Sequence, residues 1–226
     1  MVVILLIEAP SPKPDVVGRG GLVTPLEVVV LIVADDRVVV EADLAAGRLC
    51  CPRCGVGVLG GWGCARLRVV RTREGERRLR PRRGRCRVQA CGATHVLLPD
   101  VCLAGRLDAV EVIGDALLSW GRESYRLAGD RLGVPGETVR DWRLRFCSRA
   151  EVIAAHFLRW ARALDGSSDA PVSHGSLVAD ALEAIGVCVR VASLVLARRA
   201  VWSWVSALTG GGLLLINTNP PWPVPE

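Results

Sequence analysis

Residues 51–92 read CPRCGVGVLGGWGCARLRVVRTREGERRLRPRRGRCRVQACG and contain two closely spaced pairs of cysteines. Two residues separate Cys51 from Cys54, four separate Cys86 from Cys91, and a glycine follows each pair. Structural zinc sites take four ligands from pairs of this kind. The segment has few large apolar side chains, so metal binding would supply folding free energy that packing cannot. The spacing therefore predicts one structural Zn²⁺ bound by these four thiolates.

Other residues could complete such a site, because the chain has nine cysteines, an odd number. Cys50 could replace Cys51 at a spacing of three residues, and Cys64 or His95 could serve if the second pair is badly placed. The apolar N-terminus lacks the basic residues and cleavage site of a secretory signal, so we expect a reducing cytoplasm, where such spacing indicates metal before disulfides. Three further cysteines in apolar contexts are predicted to be inert buried thiols, namely Cys102, Cys147 and Cys188.

Between the cysteine pairs, residues 66–87 hold eleven arginines and two glutamates, a net charge of +9. The whole chain carries +6, so the remainder carries −3. The 31 residues between the pairs predict a β-hairpin with strands at 65–71 and 77–85 and a turn at Glu74-Gly75. Concentrated arginine is typical of phosphate contacts, although a solvated charged face is the alternative. The predicted backbone contacts are Arg66, Arg68, Arg80, Arg82 and Arg83.

Residues 125–142 have the layout of a helix-turn-helix. Apolar positions recur where two crossing helices bury them, at Ala128, Leu132, Val134, Val139 and Trp142. Gly129 is small where the helices approach, and Gly133 suits a turn with positive φ. The alternative is an ordinary αα-hairpin, which needs the same apolar spacing.

In a DNA-reading protein of this kind, the second helix, about residues 136–149, would enter the major groove. We expect Arg140 to bond guanine, and Glu137 or Asp141 to accept from cytosine. Thr138, Arg143 and Arg145 are predicted phosphate or structural contacts.

The remaining patterns predict an α+β, mostly α chain. We expect an N-terminal extension at 1–50 with a short helix at 39–46, a zinc ribbon at 51–99, and a three-helix helix-turn-helix unit at 100–164. A linker at 165–176 would lead to a C-terminal helical segment at 177–226, with a strand-like stretch at 213–216. The longest apolar stretch near the C-terminus, residues 177–197, carries Asp180, Glu183 and Arg190, so no membrane span is expected.

With its ribbon, arginine-rich hairpin and helix-turn-helix in that order, the chain resembles an uncharacterised bacterial family labelled helix-turn-helix domain-containing or transposase-like. The resemblance covers about residues 40–215, and the family's second pair usually has two intervening residues where this chain has four. The matching stretches are Cys51-Pro-Arg-Cys54-Gly55, Gly61-Trp-Gly-Cys-Ala-Arg66, Leu79-Arg-Pro-Arg-Arg-Gly-Arg-Cys86, Cys91-Gly-Ala-Thr-His-Val-Leu-Leu-Pro99, Leu132-Gly-Val-Pro135 and Ala207-Leu-Thr-Gly-Gly211.

The resemblance implies a zinc-ribbon, DNA-binding protein akin to the recognition part of insertion-sequence transposases. We therefore expect a sequence-specific, double-stranded DNA-binding protein, either transposase-recognition-like or a transcriptional regulator. It would lie at the nucleoid in the cytoplasm, pair through its C-terminal helices as a possible homodimer, and take no small-molecule substrate. An RNase H-like catalytic domain needs three separated acidic residues. The residues after the helix-turn-helix instead read as helices, with Asp180 and Glu183 on the solvated face of one of them, so no enzymatic activity is expected. The alternative is a protein-interaction adaptor that uses the ribbon and C-terminal helices without binding DNA.

Overall fold

The computed structural model describes residues 30–168, 172–196 and 198–215, which form an α+β fold. The predicted extension before residue 30, three linker residues and the tail from residue 216 lie outside this range. The strands are β1 Val30–Val33, β2 Leu59–Cys64, β3 Arg68–Thr72, β4 Gly75–Leu79, β5 Arg82–Cys86 and β6 Thr94–Pro99. The helices are α1 Arg37–Ala45, α2 Val110–Leu118, α3 Tyr125–Leu132, α4 Gly136–Cys147, α5 Ala150–Leu164, α6 Leu177–Val195 and α7 Val201–Leu208.

Four strands form a mixed sheet in the order β1-β6-β5-β2, with β1 parallel to β6 and the other neighbours antiparallel. Strands β3 and β4 form a separate hairpin with its turn before Gly75. The prediction of one continuous strand at 77–85 is wrong, because the chain leaves the hairpin at Arg80-Pro81 and enters the larger sheet as β5. Pro81 has no N–H to donate to a strand ladder, which explains the break. Strand β2 was not predicted.

Helix α1 begins two residues earlier than predicted because Asp36 caps it, accepting a 2.8 Å hydrogen bond from the N–H of Val38. Gly47 follows the helix with φ +67°, a left-handed conformation that favours glycine at the end of a helix. The helix therefore ends just before the first cysteine pair and covers one face of the sheet.

Helices α3 and α4 pack closely around a short turn, as the residue spacing predicted. Gly133 ends α3 in the left-handed conformation, at φ +65°. A Cβ on Gly129 would lie 2.7 Å from the carbonyl oxygen of Val134, so only glycine permits this approach. Four of the five predicted apolar positions are buried, namely Ala128, Val134, Val139 and Trp142. The fifth, Leu132, is partly buried against the same core.

The C-terminal helices share one hydrophobic core with α2 to α5. A Cβ on Gly114 of α2 would lie 1.9 Å from the Trp202 ring of α7, so these two helices are in direct contact. The strand predicted at 213–216 is wrong for its described residues, because Leu213 and Leu214 form a buried turn and Leu215 has no regular structure. No described helix is long and apolar enough to cross a membrane.

A second, smaller cluster lies between α1 and the sheet, and it includes two of the predicted zinc ligands, Cys51 and Cys86. The arginine-rich hairpin does not belong to it. Val70 and Leu79, the buried residues of β3 and β4, pack into the larger helical core. The hairpin is therefore held on the start of α2, away from the cysteines.

Candidate metal centre and basic surfaces

The Sγ atoms of Cys51, Cys54, Cys86 and Cys91 lie within 4.8 Å of one another. Those of Cys51 and Cys91 are 3.8 Å apart, and those of Cys54 and Cys86 are 3.7 Å apart. Zn–S bonds of about 2.3 Å in a tetrahedron put the sulfurs about 3.8 Å apart. The four side chains are therefore placed to bind one tetrahedral metal ion, including the second pair with its four intervening residues.

Glycines and strand pairing bring the two pairs together. Gly55 turns the first loop at φ +70°. A Cβ on Gly57 would lie 2.5 Å from the Cys86 sulfur, so this position must lack a side chain. Cys86 pairs with Leu59 across β5 and β2, which places it beside the first loop. The sequence contains these glycines, but only the register shows that they face the opposite pair.

Two of the alternative ligands lie apart from this cluster. Cys50 pairs with Val58 just before it, and the Cys64 sulfur, at the far end of β2, accepts a 3.7 Å hydrogen bond from Arg82. His95 is different, since its Nε2 lies 3.3 Å from the Cys51 sulfur and both residues are buried. His95 is therefore placed to donate a hydrogen bond to the Cys51 thiolate, one of the four candidate metal ligands.

Of the cysteines predicted to be inert, two are buried as expected. Burial raises the pKa of Cys102 to about 11 and that of Cys188 to about 12. Cys147 is exposed at the end of α4, so the prediction that it is buried is wrong.

The four clustered thiols differ in acidity. The N–H of Gly57 lies 3.4 Å from the Cys54 sulfur, and this backbone hydrogen bond lowers the pKa of Cys54 to about 7. Burial instead raises the pKa of Cys86 to about 12, and it also raises the pKa of Cys51. Four thiolates this close together, two of them buried, are unfavourable without a cation, and a divalent metal would bind with release of protons.

Part of the +9 charge of residues 66–87 is matched by carboxylates elsewhere in the protein. Arg71, Arg73, Arg77 and Arg82 form ion pairs with carboxylates of other elements. These pairs are Arg71 with Asp108 at 3.2 Å, Arg73 with Asp115 at 2.6 Å, Arg77 with Asp35 at 2.5 Å and Arg82 with Glu41 at 2.6 Å. Sequence spacing gave no signal for these distant partners.

The predicted phosphate contacts consequently fall into two groups. Arg68 donates to the carbonyl of Arg106, Arg82 binds Glu41, and Arg83 donates to the Thr94 hydroxyl at 3.2 Å. Arg66 and Arg80 are exposed and have no hydrogen bond or ion pair within the described residues.

An exposed basic face lies on the four-stranded sheet, on the side away from the cysteines. Alternation along β5 places Arg83 and Arg85 on this side, and Arg87 continues it just beyond the strand. The Arg85 guanidinium lies 4.5 Å from the centre of the Trp62 ring, which is 51% exposed. We call Arg83, Arg85, Arg87 and Trp62 the basic sheet face. Sequence reasoning missed Arg85, Arg87 and Trp62, although the alternation of arginine along β5 was a usable signal.

On α4, the predicted base-reading residues lie on an exposed face. Glu137, Arg140 and Asp141 are exposed, and Leu144 is 57% exposed on the same side. Arg140 forms an ion pair with Glu137 at 2.8 Å. Thr138 and Arg145 are partly buried.

Arg143 was predicted to make either a phosphate contact or a structural contact. It is buried and makes structural contacts. It donates to the Ala116 carbonyl at 3.0 Å, to the Glu123 carbonyl at 3.1 Å and to the Ser119 hydroxyl at 3.0 Å. It therefore ties α4 to the end of α2, and its guanidinium is not available to a ligand.

Comparison of the chain with protein-family models, with curated proteins and with solved structures finds no match.

Proposed function

We propose that this protein binds double-stranded DNA sequence-specifically, with α4 as the base-reading helix of a helix-turn-helix and with structural zinc in the ribbon. The observation that carries the proposal is the exposed polar face of α4. Glu137, Arg140, Asp141 and Leu144 share this face, while Val139 on the opposite side is buried. A helix exposed in this way can enter a major groove without exposing its core residues.

The basic sheet face supports the proposal from a second surface. Arg85 and Arg87 are exposed there, and Trp62 lies among them. Guanidinium groups bind backbone phosphates irrespective of sequence, so this face would contribute affinity while α4 contributes specificity. Such a DNA-binding role implies a location at the nucleoid, in the cytoplasm, and requires no catalytic group.

Cys51, Cys54, Cys86 and Cys91 would hold the zinc ion, which would supply folding free energy to the ribbon. Four thiolates match zinc in both number and ligand type. Purified protein should contain about one zinc per chain, and the Cys51→Ser variant should lose the metal and the structure of the ribbon. A metal-free protein with an intact ribbon would exclude this part of the proposal.

To test DNA binding, the full-length, zinc-loaded protein is used to select duplexes from a random-sequence pool. Its affinity is then measured for the selected duplex and for a duplex of scrambled sequence. The logarithm of the affinity should fall linearly with the logarithm of salt concentration. The Arg140→Ala variant should relax the sequence preference, whereas Arg87→Ala should weaken both duplexes equally. The exposed Arg162 on α5 offers a matched control, since Arg162→Ala should change neither.

A second candidate function is an adaptor that binds another protein. Its support is an exposed apolar corner between α6 and α7, where Leu194 is 87% exposed, Val195 52% and Val201 48%. The same corner would serve a homodimer. Absence of duplex binding at about 50 mM salt would exclude the DNA proposal, and sedimentation of the Leu194→Glu variant would then test the corner as an interface.

A further inference from the structure

A cavity of about 290 Å³ lies between the two hydrophobic clusters of the molecule. Val33, Val40 and Leu97 of its lining belong to the cluster beside the cysteines, whereas Leu79 belongs to the helical core. Ligand pockets occur preferentially where separately packed units meet, and they are mostly apolar with a few polar groups. The position of this cavity matches that preference, and its lining combines apolar with charged side chains.

The cavity is also strongly cationic. Five arginines and one aspartate line it, a net charge of +4, and they are Arg37, Arg77, Arg78, Arg80, Arg82 and Asp35. The charges of Arg77 and Arg82 are matched by Asp35 and Glu41, and Arg37 lies 3.7 Å from Glu41.

Arg78 and Arg80 are different, because neither has a hydrogen bond or ion pair within the described residues. Two positive charges thus border the cavity with no counter-charge of their own.

We propose that this cavity binds a small organic phosphate, with its apolar body against Val33, Val40 and Leu97 and its phosphate group on Arg78 and Arg80. A phosphate monoester carries a charge between about −1.5 and −2 at neutral pH and has three acceptor oxygens. It can therefore match two guanidinium groups, which bind phosphate oxygens in a bidentate manner. The inference is independent of DNA binding, since it concerns a cavity and not the exposed face of α4.

The test is calorimetric titration of the full-length, zinc-loaded protein with phenyl phosphate, without DNA. Inorganic phosphate and phenol, which represent the two halves of the probe, are titrated separately for comparison. Phenyl phosphate should bind at one site per chain and more tightly than either half. The Arg78→Gln and Arg80→Gln variants should each weaken it by about tenfold, because each removes a charge-assisted hydrogen bond.

Arg66→Gln is the matched control, since Arg66 is an exposed arginine of the same segment that does not line the cavity. It should leave the affinity unchanged. Equal weakening by Arg66→Gln, equal binding of inorganic phosphate, or no binding of phenyl phosphate would each overturn the proposal. All three arginines are exposed, so circular dichroism should report folded variants and keep the comparison interpretable.

Discussion

His156 of α5 should make the protein less stable as the pH falls below neutrality. Its side chain is 5% exposed, and Nε2 lies 2.9 Å from the Leu208 carbonyl oxygen. A carbonyl only accepts, so Nε2 carries the proton of a neutral ring. Burial disfavours the charged ring and lowers the pKa of His156 to about 4.

The size and sign of the effect follow from that pKa. An unfolded chain protonates histidine below about pH 6.5, whereas folded His156 stays neutral to about pH 4. The unfolded state therefore binds more protons in this interval, and the free energy of unfolding falls as pH falls. A difference of about 2.5 pKa units corresponds to about 3 kcal/mol, lost progressively between pH 6.5 and 4.

The assay is urea unfolding followed by tryptophan fluorescence at intervals from about pH 7.5 to pH 4.5, for the natural protein and for His156→Gln. Glutamine can donate to the same carbonyl and does not titrate. Other groups titrate in both proteins, including Asp100, whose pKa burial raises to about 6 and whose effect has the opposite sign. The difference between the two proteins isolates His156.

As the pH falls from about 7.5 to about 4.5, the free energy of unfolding of His156→Gln should rise by about 2 to 3 kcal/mol relative to that of the natural protein. Parallel pH profiles for the natural protein and His156→Gln would refute the reasoning.

Three further predictions concern contacts within the helical core and the metal cluster. Gly114→Ala should cost about 2 kcal/mol in urea unfolding, because the new Cβ would overlap the Trp202 ring, while Gly166→Ala, which meets no atom within 4 Å, should be nearly neutral. Arg143→Met should cost about 3 kcal/mol because it leaves three acceptors of α2 and the following turn without their donor, whereas Arg140→Met at an exposed position should change stability little. Chelation of bound metal should abolish hydrogen-exchange protection in β2 and β5 and spare α5 and α6, and loss of protection throughout the chain would contradict separate stabilisation of the two clusters.

Several features of the fold could be predicted from residues that are close together in the sequence. The glycine at 133 and the apolar positions around it predicted a close helix pair, because left-handed turns and helical periodicity depend on neighbouring residues. The four clustered cysteines were identified for the same reason, since the two cysteines of each pair are close in sequence and lie on one short turn. The hydrogen-bond acceptors of Arg143 could not be predicted from the sequence, because they lie 20 to 27 residues before it in the chain.

The sequence alone determined where positive charge and thiols are concentrated, since both are properties of composition along the chain. Only the tertiary structure decided which of those charges remain available. It paired Arg71, Arg73, Arg77 and Arg82 with distant carboxylates and left Arg78 and Arg80 beside a cavity. At Pro81 the arginine-rich segment passes from the β3-β4 hairpin into the four-stranded sheet. This change of sheet determines which arginines lie beside carboxylates and which are exposed to solvent. The physical reason is that ion pairing depends on distance in space, which the order of residues does not specify.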